Sequence, residues 1–181
     1  MLSSDRHRLR ALETSDVPLL CAWENDSADW WMGATVLPIS REAMTSFASG
    51  NHDLYRDRQL RWMLDARRDV AQPWQRVGAV DLYDFDPRQL RAGVAVHVDP
   101  SCRRQGHARA GLALLDAYVQ QHLGLHQVYA EVPATHEASL ALFVQCGFVE
   151  TGRRRSWIRL PEGSWSDVVT LQRLYPTSST E

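Results

Sequence analysis

One stretch of this 181-residue chain concentrates groups able to hold an anion: Val96-His97-Val98-Asp99-Pro100-Ser101-Cys102-Arg103-Arg104-Gln105-Gly106-His107-Ala108-Arg109. It reads as the end of a strand, a short loop and the first turn of a helix. The first N–H groups of a helix lack internal partners, and its dipole places partial positive charge there. A pyrophosphate fits such a site when the backbone can come close. Gly106 and Ala108 keep that approach clear, while Arg103, Arg104 and Arg109 add charge that neutralises phosphate. The same residues also suit a plain strand-to-helix turn with solvated arginines, and spacing alone leaves both readings open. A second group, Glu24-Asn25-Asp26-Ser27-Ala28-Asp29-Trp30-Trp31, pairs acids that attract a cation with indole faces that bind an ammonium. Its alternative is a loop between helices with Trp30 or Trp31 tucked into the core.

The elements that must position these groups follow from hydrophobic period. Arg8 to Leu12 alternates like a half-buried strand. Thr14-Ser15-Asp16 offers N-cap oxygens to a helix carrying Val17, Leu19, Leu20 and Trp23, and Ser40 caps a second with Ala43, Met44 and Phe47. Gln59 to Leu64 and Val77 to Tyr83 read as strands joined by a turn-like segment around Pro73. In Ala92 to Val98, Val94, Val96 and Val98 face one way and Gly93, Ala95 and His97 the other; Pro100 ends it. Ala108 to His122 reads as a helix with Gly111, Leu114, Leu115 and Tyr118 on one stripe and Arg109, Asp116 and Gln120 opposite. Val128 to Val132 is a strand, Glu137 to Cys146 a helix, and Gly147 suits a left-handed helix end. Phe148 onward and Trp165 to Leu174 close the fold as a hairpin. The sum is a mixed α/β (α+β) sheet with helices on both faces, one domain over 1–175 and a flexible tail over 176–181.

Composition narrows the classes. Twenty Lys+Arg against 22 Asp+Glu leaves a net charge of −2, and 44 % of residues are hydrophobic. This excludes wholesale disorder and argues against nucleic acid or an anionic membrane as partner. No apolar run approaches the ~18 residues that span a bilayer. Cys21, Cys102 and Cys146 are odd in number and too far apart for a CxxC pair, so they read as idle thiols. With no apolar core in Met1-Leu2-Ser3-Ser4-Asp5-Arg6, a cytoplasmic location is expected. His122 and His126 have no third ligand nearby, so no metal is expected. Arg153-Arg154-Arg155 beside Glu150 reads as a solvated strand edge.

The loop Arg103-Arg104-Gln105-Gly106-His107-Ala108 resembles the Gln/Arg-x-x-Gly-x-Gly/Ala acyl-CoA motif of the GNAT superfamily of N-acetyltransferases. Downstream, the run from Ala130 through His136, Ser139 and Phe143 to Gly147-Phe148 is similar to that family's second motif. Leu9-Arg10-Ala11-Leu12-Glu13 with Asp16, and Gly78 with Asp81-Leu82, look like the bacterial branch containing spermidine and ribosomal-protein N-terminal acetyltransferases. The resemblance implies a splayed sheet, with acetyl-CoA as cosubstrate and direct acetyl transfer to an amine in a ternary complex. It implies that Val96, His97 and Val98 bind the pantetheine arm through their backbone, and that the residues from Arg103 to Arg109 hold the pyrophosphate. It puts His136, Ser139 and Phe143 beside the cofactor. The acceptor expected is a polyamine, another small amine or a peptide amine, and homodimers are compatible with the family.

Two positions depart from the pattern. The family's usual general acid is a Tyr where this chain has Phe143. A Glu on the cofactor strand of spermidine acetyltransferases is replaced by Gly93. A catalytically impaired CoA-binding sensor is therefore the alternative to an enzyme. An alkylamine of pKa near 10.4 is about 0.04 % neutral at pH 7, a penalty of roughly 4.6 kcal/mol, so a base or a pKa-lowering site is expected. Asp81, Asp84, His97 and Glu131 are the candidates for that role, and Glu24, Asp26, Trp31, Asp81 and Asp84 are those for the acceptor site. Each also suits a solvated acid, a satisfied histidine or a core tryptophan.

Overall fold

The computed structural model describes residues 2–28, 30–32, 37–50 and 52–176. Among these residues eight strands form one sheet in the order β1-β2-β3-β4-β5-β6-β8-β7. They are β1 (Leu2–Ser3), β2 (His7–Arg10), β3 (Leu60–Ala66), β4 (Gln75–Asp86), β5 (Arg91–Val98), β6 (Gln127–Pro133), β7 (Val149–Arg159) and β8 (Trp165–Leu174). All neighbours are antiparallel except β5 and β6, which run parallel. The expected mixed sheet with helices is thus the observed one. The hairpin of β7 and β8 places its second strand, not its first, beside β6.

Period-2 alternation sends the two faces of the sheet to different helices. On one face Trp62, Leu64, Val80, Leu82, Val94 and Val128 pack under α4 (His107–Tyr118) and α5 (Glu137–Gln145). Gly111 lets α4 approach: a Cβ there would lie 3.0 Å from the Leu64 and Val80 side chains. On the other face Met63 joins Leu12, Val17, Leu20, Met44 and Ala48 beneath α1 (Val17–Glu24) and α2 (Arg41–Ser49).

Several local expectations change. The expected Ala108–His122 helix begins one residue earlier and ends at Tyr118, continuing as a π turn, Val119–Leu123, closed by Gly124 at φ 58°. Its buried stripe is Gly111, Leu112, Leu115 and Val119, and Asp116 is not a solvated group. It accepts hydrogen bonds from Tyr175 Oη at 2.7 Å and an Arg173 guanidinium N–H at 2.9 Å. The short α3 (Leu54–Asp57), capped by the Asp53 carboxylate, went unread because four residues carry no period. Ser40 caps α2 as expected, accepting from Ala43 N–H at 3.1 Å. Asp16, however, makes no side-chain cap to α1. Its fully buried carboxylate takes two Arg10 hydrogen bonds at 2.7 and 2.8 Å, the Glu13 N–H and the Arg76 guanidinium. Burial pushes this carboxyl up, but those donors outweigh burial and hold it below its ordinary value. Asp29 and residues 177–181, the bulk of the expected tail, lie outside the described residues. Among the described residues no helix is long and apolar enough to cross a membrane.

The start of α4 is tied to β2 by two imidazoles, His7 Nε2 and His107 Nδ1, 2.9 Å apart. Burial lowers the pKa of both, helped at His7 by His107 and Arg6. Around and below pH 6.5 the unfolded chain therefore binds protons that the folded one refuses, and stability falls as pH drops through that value. His7→Asn is expected to flatten that slope in melting temperatures measured on either side of it; an unchanged slope would remove the pair from the pH response.

Candidate functional site

The site begins where two parallel strands stop pairing. β5 and β6 are in register only at Arg91↔Gln127, Ala92↔Val128 and Gly93↔Tyr129. β5 continues against β4 as far as Gly78↔Val98, and β6 continues against β8 as far as Pro133↔Val168. From Val94 to Val98, then, β5 is paired on one edge and parted from β6 on the other. Exposure follows: Ala92, Gly93 and Val94 are buried, whereas Ala95 to Val98 are half-exposed although the strand lies mid-sheet. The backbone groups on that edge have no β6 partners, and an open strand edge is a template with which an extended amide-bearing chain could pair.

The open end of this wedge leads to the loop before α4. A 3₁₀ turn, Pro100–Cys102, is fixed by Asp99, whose carboxylate accepts from Ser101 N–H at 2.9 Å and from the Trp23 indole N–H at 2.9 Å. Arg103 donates its Nε–H to Val98 O at 3.1 Å. Arg104 and Gly106 are left-handed, at φ 61° and 83°. A Cβ at Gly106 would meet no protein atom within 4 Å. Glycine is favoured there by its backbone angle and not by protein packing. No side chain caps the N-terminus of α4. Arg103, Arg104, Gln105, Gly106 and Arg109 are exposed, and His107 and Ala108 half-buried. The expected anion-site residues therefore share one exposed helix start at the mouth of the wedge.

Across the mouth stands α5. His136 is its N-cap, with Nδ1 accepting from Ser139 N–H at 3.2 Å. Phe143 lies within the core, edge-on to Phe148 with ring centroids 5.0 Å apart. A separate cleft of about 570 Å³ runs between α4 and the C-terminal end of α5; of the sequence-predicted cofactor residues it includes only Arg109.

On the face covered by α1 and α2, the acids expected to act freely are already engaged. Asp81 accepts two hydrogen bonds from Arg61, at 2.6 and 3.0 Å, and Glu24 pairs with the same guanidinium. Glu131 pairs with Arg154, whose guanidinium also lies 4.6 Å from the Trp157 ring centre. The Arg153–Arg155 run is thus not merely a solvated edge. Asp84, left-handed at φ 48°, accepts from the Tyr129 hydroxyl at 3.2 Å. Asp26 is exposed and accepts the Ala28 N–H at 3.0 Å. Trp31 is half-buried in the turn Trp30–Met32, and the Trp30 indole N–H donates to Glu24 O at 2.8 Å. His97 has its ring 4.8 Å from that of Trp23. Among the described residues no group of three or more His, Cys, Asp or Glu could hold a metal ion.

Sequence reading missed Arg61 and Arg154, because only tertiary packing brings them to the acids, and it missed Tyr83. That ring lies where a Gly93 side chain would be: a Cβ there would sit 2.3 Å from Tyr83 Cε2 and 2.4 Å from Cζ. Tyr83 also meets Tyr129 edge-on at 5.9 Å. Burial, then Tyr129, Glu131, Asp84 and Asp81, push the Tyr83 phenol above its ordinary pKa, so it stays protonated.

The sequence profile described as an acetyltransferase (GNAT) domain matches residues 6–149. Among solved structures, the chain is similar to spermidine N-acetyltransferase from Vibrio cholerae in complex with CoA and spermine. Identity is 21 %, coverage 94 % of this chain and 96 % of that one, and the TM-score 0.79. A dodecameric structure of the same enzyme in an intermediate state matches at 21 % identity, over 94 % and 95 % of the two chains, with a TM-score of 0.75. A search of curated proteins finds no match.

If the Tyr83 ring fills the space above Gly93, Gly93→Ala should cost about 1–3 kcal/mol in urea unfolding. In a Tyr83→Ala background most of that cost should vanish, giving a coupling of at least about 1 kcal/mol. Simple additivity would show that the ring does not occupy that space.

Proposed function

The chain belongs to the acetyltransferase (GNAT) family, and on that footing we propose that it moves an acetyl group from acetyl-CoA to a primary amine by direct attack in a ternary complex. The observation that carries this reading is the parted edge of β5, opening directly onto the uncapped start of α4. The N–H groups beyond Gly106, with Arg103, Arg104 and Arg109, hold the pyrophosphate. Gln105, His107 and Ala108 shape the loop around it. The backbone of Val96, His97 and Val98 takes the pantetheine amides, and His136 and Ser139 at the start of α5 form the facing wall; Phe143, expected beside the cofactor, is instead buried in the core behind them. The cosubstrate supplies an activated acyl carbon, and this chain's task is positioning, which can supply a large share of the rate.

The acceptor face carries four carboxylates against two guanidiniums: Glu24 and Asp81 meet Arg61, Glu131 meets Arg154, and Asp84 meets the Tyr129 hydroxyl. That excess of negative charge draws a cationic amine, and Asp26 and Trp31 extend the face toward solvent. A polyamine fits best, as in the Vibrio cholerae enzyme solved with spermine; a peptide N-terminus is the next acceptor class. Because Asp81 and Glu131 already share their charge with arginines, their part is attraction and orientation. His97, on the parted strand with its ring against Trp23, is our choice of proton acceptor among the candidates. No nucleic acid, membrane or metal enters this scheme. We read residues 1–175 as one cytoplasmic catalytic domain that assembles with copies of itself.

Incubation with acetyl-CoA, a panel of amines and a thiol reagent should show acceptor-dependent CoA release, fastest with di- and polyamines. Tight CoA binding with no turnover on any amine would replace the enzyme by a sensor. Gly106→Val puts a branched side chain at φ 83° and over the backbone N–H groups. Calorimetry should show at least tenfold weaker acetyl-CoA binding, and unchanged affinity would refute the phosphate assignment.

A further inference from the structure

The wedge has a floor, and it is built from two tyrosines. Tyr83, Gly93 and Tyr129 are consecutive partners across β4, β5 and β6, and Gly93↔Tyr129 is the last rung before the strands part. The register of β4 against β5 shifts between Tyr83 and Asp86, with Asp84 left-handed at φ 48°. Such irregularities re-aim side chains beside functional sites. Here Tyr83 swings over Gly93, its ring filling the volume of the absent side chain. Tyr129 buttresses it edge-on, and the Tyr129 hydroxyl is anchored on Asp84. Both phenols have pKa values pushed up, Tyr129 to about 12, chiefly by burial, so the floor stays uncharged at physiological pH.

An arm anchored by its pyrophosphate at Gly106 and running back along β5 has five parted residues, Val94 to Val98, to follow. At strand rise this is about 16 Å, comparable with an extended pantetheine arm. The acyl group at its end therefore arrives against the Tyr83–Tyr129 pair. We propose that Tyr83, braced by Tyr129 over Gly93, closes the wedge and restricts the transferred group to acetyl. Longer acyl chains would need the volume that the ring occupies. The proposal rests on the acyl-CoA reading of the wedge, but it names residues and a selectivity which that reading leaves open.

One methylene in an apolar pocket is worth about 10–200-fold in discrimination. The parent, Tyr83→Ala and Tyr83→Phe should be compared for acetyl-CoA and butyryl-CoA, by calorimetric Kd and by kcat/KM with the best amine. The parent is expected to favour acetyl-CoA by at least tenfold. Tyr83→Ala should shift the butyryl-to-acetyl ratio at least tenfold toward butyryl, while Tyr83→Phe, which keeps the ring, leaves the ratio within about twofold. If Tyr83→Ala does not fold, Tyr129→Ala takes its place, since it removes the brace and should shift the ratio the same way. An unshifted ratio in a folded variant, or a parent indifferent to acyl length, overturns the proposal. Should the parent bind acyl-CoA without turnover, the Kd ratio alone decides, so loss of the transferase reading is told apart from loss of this one.

Discussion

The structure depends on a hydrogen-bonding debt in the middle of its sheet. A strand with neighbours on both sides normally satisfies every backbone group, and β5 does so only through Gly93. Beyond it, one edge is no longer paired with β6. Sheets tolerate such a gap when the surroundings hold the strands apart, and here both banks are well held. β4 grips β5 to its last residue, and β8 grips β6 to its last residue. The gap thus lies between two half-sheets joined by three rungs.

Charge is distributed with equal economy on the face beneath α1. Arg61 bridges Glu24 of α1 to Asp81 of β4, so helix and strand are clamped by one guanidinium. Arg154 does the same between β7 and β6 through Glu131. Partly buried pairs of this kind add modest net stability, but breaking one partner is costly because it strands the other charge. Their contribution lies in holding carboxylates at fixed positions with excess negative field.

How much of this was legible in the sequence depends on the range over which each feature is determined. The β5 alternation, the Pro100 stop, the Ser40 cap and the Gly106 helix start are local, and each appears where the residues suggested. Asp16 looked like a cap because its type and position fit, but the distant Arg10 and Arg76 offered its carboxylate stronger donors. The insertion of β8 beside β6 is a matter of non-local pairing that hydrophobic period does not encode. Gly93 read as a missing acid; its meaning is supplied by Tyr83 on the neighbouring strand, and only strand register brings the two together.

Trp23 joins α1 to the turn that leads into α4. Its indole N–H holds Asp99 at the root of the α4 loop, its ring leans on His97, and the next residue along α1 is Glu24. Movement of α1 therefore cannot leave the Asp99 turn untouched, since the donor nitrogen belongs to the helix and its acceptor to the chain entering α4.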